Sequence, residues 1–128
     1  MKQKFLICKK CKAMVAVIDE CTCEGCGFNC CGEQMSEIVP GTTDASLEKH
    51  VPVITKDGKK VVVSVGAVPH PMTPEHYIQW ISIETKQGNQ RKCLTPKDKP
   101  EACFMLCQDD EIIAAYAYCN LHSLWKAE

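Results

Sequence analysis

From about Val39 onward, short apolar runs alternate with turn residues. The stretch "VPVITKDGKKVVVSV" sets two β-branched runs around Asp57-Gly58, the strongest short hairpin signal. "HYIQWISIETKQGNQRKCL" repeats the scheme around Gly88-Asn89, and "EACFMLCQDDEIIAAYAYC" around Asp109-Asp110. Val, Ile, Tyr and Trp fill these runs, as strands prefer. No segment holds a sustained helical period. The pattern predicts an all-β fold, an immunoglobulin-like antiparallel β-sandwich of about seven strands.

Residues 1–36 read differently. They hold seven of the chain's eleven Cys and few large apolar groups. Such a segment cannot bury a useful core alone, so a metal is expected to supply its folding free energy. We therefore expect a Cys-rich metal-binding module over residues 1–37 and the sandwich over 38–128. Eleven is an odd count, and the start "MKQKFLICKKCK" has neither a long apolar core nor a small-residue cleavage site. Crowded Cys without a secretion signal favour metal over disulfides and a reducing, cytoplasmic setting. The formal net charge of -1 provides no global field for nucleic acid. No apolar run approaches the roughly 20 residues of a membrane span.

Only four His are present: His50, His70, His76 and His122. His50 precedes Val51-Pro52, His70 stands between two prolines in "VPHPM", and His76 opens "HYIQWISI". His122 follows Cys119 by three residues in "YCNLHSLW". All four fall at strand ends or in Pro-stiffened loops, where a sandwich gathers its sites. Any one alone reads as a solvated loop residue. Four together, with a Cys at close spacing, read as a metal centre, since imidazole and thiolate suit zinc, copper, iron and nickel. Zinc normally stops at four ligands. Five donors suit five-coordinate iron with an open position. A blue-copper site wants an axial Met soon after the second His, and Ser-Leu-Trp stands there instead. A Cys–His nucleophilic dyad leaves three His without a role.

The segments "EKHVPVI", "VPHPMTPEHYIQWI" and "YCNLHSLWK" resemble, in order, the signature segments of superoxide reductases. "CKKC" and "NCCGEQM" resemble the N-terminal module of the two-iron members, the desulfoferrodoxins. The resemblance implies a desulforedoxin-like module ahead of the sandwich. It implies a non-haem Fe2+/Fe3+ centre held by His50, His70, His76 and His122 in the equatorial plane and by the Cys119 thiolate on the axis. The implied activity is one-electron reduction of superoxide to hydrogen peroxide without oxygen release. Lys49 is implied to attract the anion, and Glu48 to close on the ferric ion. An axial thiolate raises electron density at the metal, and backbone N–H groups near Asn120 and Leu121 are placed to tune it. The implied partners are a small electron donor such as rubredoxin and a second copy of the chain, in an anaerobe. Ser123 departs from the Gly usual there and would carry strain if its φ is positive.

The same resemblance assigns Cys8, Cys11, Cys30 and Cys31 to an N-terminal centre of iron and four Cys. Cys23-Glu-Gly-Cys26 forms a second CxxC, and with Cys8-Lys-Lys-Cys11 it makes a competing zinc-ribbon-like frame. Four thiolates alone do not separate iron from zinc. Cys21, Cys23 and Cys26 are then surplus thiols, a second metal set or a redox disulfide. Cys93, Cys103 and Cys107 are expected to be small buried hydrophobes, with Met72 and Met105 as packing residues. Trp80 and Trp125 are expected in the core or shielding the centre. Two alternative functions stand beside the reductase: an electron-transfer protein, and a metal-binding module without catalysis.

Overall fold

The computed structural model describes residues 2–128 and divides them into two compact units, Lys2–Val39 and Pro40–Glu128. In the first unit, β1 (Lys4–Ile7) pairs antiparallel with β2 (Met14–Val17) on one side and β5 (Ser36–Glu37) on the other. A two-residue ladder joins β3 (Asn29–Cys30) to β4 (Glu33–Gln34). Phe5, Leu6, Cys8 and Ile38 are the buried apolar residues here. Four such side chains provide only a few kcal/mol each when buried, at roughly 1.5–3 for a large one. A further source of stability is needed, as a unit this small requires.

The second unit is the sandwich. Its elements are α1 (Leu47–His50), β6 (Pro52–Asp57), β7 (Lys60–Val65), β8 (Ile78–Thr85), β9 (Gly88–Cys93), β10 (Glu101–Met105), β11 (Ile112–Cys119) and β12 (Ser123–Ala127). One sheet has the order β10-β7-β6 and the other β12-β11-β8-β9, all antiparallel. These seven strands match the expected number. Val61, Val63 and Val65 of β7 and Phe104 of β10 are buried in one core cluster with Ile78, Ile81 and Ile83 of β8 and Ala115, Ala117 and Cys119 of β11. Strand alternation explains the inward set on β7 and β11.

The β6–β7 hairpin turns at Gly58-Lys59, with Gly58 at φ 61°, as a II′ turn requires at its first central position. The β8–β9 turn falls on Lys86-Gln87, two residues ahead of the expected Gly88-Asn89. The third expected hairpin is not one. β10 pairs with β7 while β11 pairs with β8 and β12, so the Asp109-Asp110 turn carries the chain from one sheet to the other. A turn signal fixes a reversal, not which sheet receives the next strand.

Two further expectations change, for the outer cysteines and for Met105, while Trp80 is buried as expected. Cys93 is exposed at the end of β9, Cys107 is exposed in the loop after β10, and Cys103 is half-buried on an outward position of β10. Met105 is 63% exposed, whereas Met72 packs on the core and its sulfur accepts the Ile78 N–H at 3.5 Å. Trp80 is buried on the face of β8 away from that cluster and stacks on Tyr118 with 5.7 Å between ring centroids. No helix among the described residues is long and apolar enough to cross a membrane.

Candidate metal centres

Cys119 is the last residue of β11 and pairs with Ser123, the first of β12. Asn120, Leu121 and His122 form the three-residue loop between them. Such loops commonly close on a left-handed residue, and Ser123 occupies that position at φ 66°. The conditional strain expected there is present. A register shift between Tyr118 and Cys119 skips Gln79 of β8 and sets Ile78 opposite Cys119 on the inward face. Bulges of this kind often re-aim a side chain beside a site.

The other ligand candidates arrive from three loops. His50 ends α1, and its Nδ1 donates to the Ser46 carbonyl at 2.6 Å. His70 follows the turn after β7, and its Nδ1 donates to the Pro71 carbonyl at 2.7 Å. His76 closes a bridge with Thr73. These contacts turn Nε2 of His50 and His70 inward, where they lie 3.2 Å apart. His122 presents Nδ1 instead, 3.1 Å from His50 Nε2 and 3.8 Å from Cys119 Sγ.

The four rings form a pinwheel. Successive centroids around it, His50, His70, His76, His122 and back, are 4.7, 4.6, 5.1 and 4.9 Å apart, with neighbouring planes at 75–89°. The opposite pair His50 and His76 is 6.4 Å apart and only 31° from parallel. A square of nearly equal sides with rings facing one centre has this geometry. Donor atoms of His50, His76, Cys119 and His122 all lie within 4.8 Å of one another. His70 stands outside that mutual set but joins it through His50 Nε2.

Two observations test whether the site fits a cation. His76 Nε2 is buried with no hydrogen-bond partner, although buried polar nitrogens are normally satisfied. Burial lowers the pKa of His50, His70 and His76, taking His70 down to about 4 despite its Pro71 contact, so these rings are neutral donors. Burial also pushes the Cys119 thiol up, and the backbone N–H groups of Leu121 and His122 pull it back. A cation supplies what the buried sulfur lacks. The donor set fits a five-coordinate metal of the iron type.

The backbone around the centre is tied together. Asn120 Oδ1 accepts the Tyr77 N–H at 2.9 Å and its Nδ2 donates to the Glu75 carbonyl at 2.9 Å. Its own N–H reaches the Tyr77 carbonyl at 3.3 Å. Asn120 thus brackets His76 and holds it to the Cys119–His122 loop. Of the N–H groups expected to serve the sulfur, that of Leu121 acts on it while that of Asn120 goes to Tyr77, and the His122 N–H joins at 3.4 Å. Trp125 donates its indole N–H to the His122 carbonyl at 3.0 Å and lays its ring 5.0 Å from that of His50. It covers the cluster as expected.

Gly66 supports α1. A Cβ there would lie 2.6 Å from the Glu48 carbonyl oxygen and 2.9 Å from the Lys49 carbonyl carbon. Only glycine lets the 65–70 loop approach the turn that carries Glu48, Lys49 and His50. Both Glu48 and Lys49 are exposed. The Lys49 charge is among the causes that lower the His50 and His76 pKa values, so its field reaches the cluster. Sequence reasoning missed Gly66 and the bracketing role of Asn120. A turn Asn within "YCNLHSLW" was the one available signal for the latter.

In the first unit, the Cys8, Cys11, Cys30 and Cys31 sulfurs lie within 4.8 Å of one another. Cys30 Sγ is 3.6 Å from Cys11 Sγ and 3.9 Å from Cys31 Sγ. Backbone N–H groups at Cys11 and Lys10 help lower the Cys8 pKa to about 7, while the neighbouring Cys11 and Cys8 sulfurs push Cys30 up to about 12. Four thiolates cannot coexist there without a cation, and a tetrahedral S4 site for iron or zinc fits. The competing frame does not form: Cys21 is bonded to Cys26, and Cys23 is exposed and outside the cluster.

A seven-stranded sandwich with four imidazoles and one thiolate around one point, preceded by a four-Cys site, defines a non-haem metalloprotein. The Desulfoferrodoxin family profile matches residues 42–128. The chain is 51% identical to a desulfoferrodoxin of Clostridium acetobutylicum, over 81% of each chain. It is 40% identical to a desulfoferrodoxin homolog of Methanothermobacter thermautotrophicus over 92% of each. Among solved structures it is similar to the superoxide reductase from Treponema pallidum, with TM-score 0.86, 38% identity and full coverage of both chains. The chain belongs to the desulfoferrodoxin family.

Proposed function

We propose that the protein is a superoxide reductase, converting superoxide, one electron and two protons to hydrogen peroxide. The four-imidazole, one-thiolate pinwheel carries this reading. When bound, iron supplies the one-electron couple and an open coordination position. The rest falls to the chain. His50, His70, His76 and His122 would hold the metal as imidazole donors, and Cys119 would give the single anionic ligand. The backbone N–H groups of Leu121 and His122 temper that sulfur. Lys49 places a positive charge beside the cluster, which concentrates a small anion on a chain of net charge near zero. Glu48, one residue earlier on α1, is an exposed carboxylate that would be a further oxygen donor for a bound metal. Cys119 is itself fully buried, and Trp125 covers the cluster at His50 and His122.

In this reading residues 1–37 are a metal module that folds around iron or zinc at Cys8, Cys11, Cys30 and Cys31, and 38–128 the reductase domain. A small donor such as rubredoxin supplies the electron, and two chains form a homodimer in the cytoplasm of an anaerobe. The family resemblance supports both partners, and the Cys-rich composition suits a reducing compartment. Metal analysis with visible spectroscopy tests the assignment. Iron in the sandwich, with a broad red thiolate-to-iron band that appears on oxidation, is expected. A colourless protein holding zinc alone in both states would overturn it.

A further inference from the structure

The loop Cys21-Thr-Cys23-Glu-Gly-Cys26 lies outside both metal clusters. Cys21 and Cys26 are joined, across a sequence separation of only 5. So short a loop gives a disulfide little leverage over the unfolded chain. Cys21 is exposed, Cys26 half-buried, and the unbonded Cys23 exposed between them. Both bonded cysteines line a cavity of about 260 Å³, together with Lys4, Glu20, Phe28 and Met35. A bond that only stapled the unit would not need an open cavity and a third thiol beside it.

We propose that this loop is a thiol–disulfide exchange site whose reductant is a dithiol. An incoming thiolate attacks the exposed Cys21 sulfur; the Cys21–Cys26 bond breaks and Cys26 leaves as a thiolate that takes up a proton. The reductant's second thiol then attacks its own sulfur in the mixed disulfide and expels Cys21, which is protonated in turn. The dithiol loses two electrons as its own disulfide forms, and the Cys pair gains them. Cys23 competes for Cys26 by the same chemistry, and that pairing has the CxxC spacing of dithiol oxidoreductases. Asp19, Glu20 and Glu24 are exposed around the loop, and Lys4 is engaged by Glu20 at 3.4 Å. The local field therefore selects cationic or neutral thiols over anionic ones.

The test equilibrates the full metal-loaded chain with mixtures of reduced and oxidised dithiothreitol, then counts thiols by alkylation and intact mass. Two thiols per chain should appear and disappear reversibly in native buffer, with metal at Cys8, Cys11, Cys30 and Cys31 retained. At low salt, cysteamine should open the bond at least about threefold faster than thioglycolate, and high salt should erase the difference. A Cys21→Ser/Cys26→Ser variant should fold, keep its metals and show no such two-thiol step. Reduction only after denaturant would make the bond a structural staple and overturn the proposal. Three thiols ligating a metal in the isolated protein would overturn it equally.

Discussion

Cys119 and His122 meet twice: the His122 N–H points at Cys119 Sγ at 3.4 Å, and the His122 ring nitrogen Nδ1 stands 3.8 Å from the same sulfur. One three-residue loop thus places a sulfur donor, an imidazole donor and a backbone N–H that reaches the sulfur. Cys119→Ser removes the thiolate and keeps a side chain of similar size. The sandwich should stay folded by circular dichroism. The red band should vanish and superoxide reduction should fall by orders of magnitude. An iron-loaded Ser variant of ordinary activity would contradict a ligand role for Cys119.

Asn120 is the tie between that loop and His76. Asn120→Ala removes the side-chain bonds to Tyr77 and Glu75 and leaves His76 free to drift. Loss of an orienting contact behind a ligand typically costs about 10–100-fold in metal affinity. Competition with a chelator should show a loss in that range, with thermal unfolding of the loaded protein lowered.

Lys49 is exposed beside a buried ligand. Lys49→Ala should slow the second-order reaction with superoxide by roughly tenfold at low ionic strength, the low end of electrostatic steering. The salt dependence of the rate should flatten. Stopped-flow measurements over a salt series read both effects, and an unchanged slope would exclude steering by this residue.

Ser123 bears a left-handed backbone, at φ 66°. A left-handed non-Gly residue costs roughly 1–2 kcal/mol, partly offset by the greater freedom of glycine in the unfolded chain. Ser123→Gly should therefore stabilise the protein by about 0.5–1 kcal/mol, read as a raised Tm, with ligand geometry and the visible spectrum unchanged.

Acid should destabilise the metal-free protein before the loaded one. His70 is 3% exposed, and burial holds its pKa near 4 against an ordinary 6.5. Between these values the unfolded chain binds a proton that the folded chain refuses, so stability is full above about pH 6.5 and falls toward pH 4. Urea midpoints in chelator at pH 7.5 and pH 5 should differ in that sense. With the ring nitrogens engaged by metal, the drop should shift to lower pH.

Much of this was legible in the chain itself. The β-branched run "VVVSV" and the apolar run "IIAAYAYC" marked sandwich strands, because such residues suit a pleated, buried surface whatever its partner. The Pro-flanked His70 and the Cys119–His122 spacing marked donors, because few other roles explain them together. What was not legible depended on distant contacts. The Asp109-Asp110 turn gave no sign that it changed sheets. Cys93 and Cys107 looked apolar in context, but exposure is decided by where each strand ends and which face its register leaves outward. Gly66 reads as one more turn glycine until the backbone of Glu48 and Lys49 is found against it.

The central claim is that this site reduces superoxide and does not dismutate it. The direct measurement is product stoichiometry: reduced, iron-loaded protein mixed anaerobically with a known amount of superoxide, with peroxide and oxygen both quantified. The account predicts one peroxide for each superoxide consumed by the ferrous centre and no oxygen. Half as much peroxide, with the remainder recovered as oxygen, would contradict it.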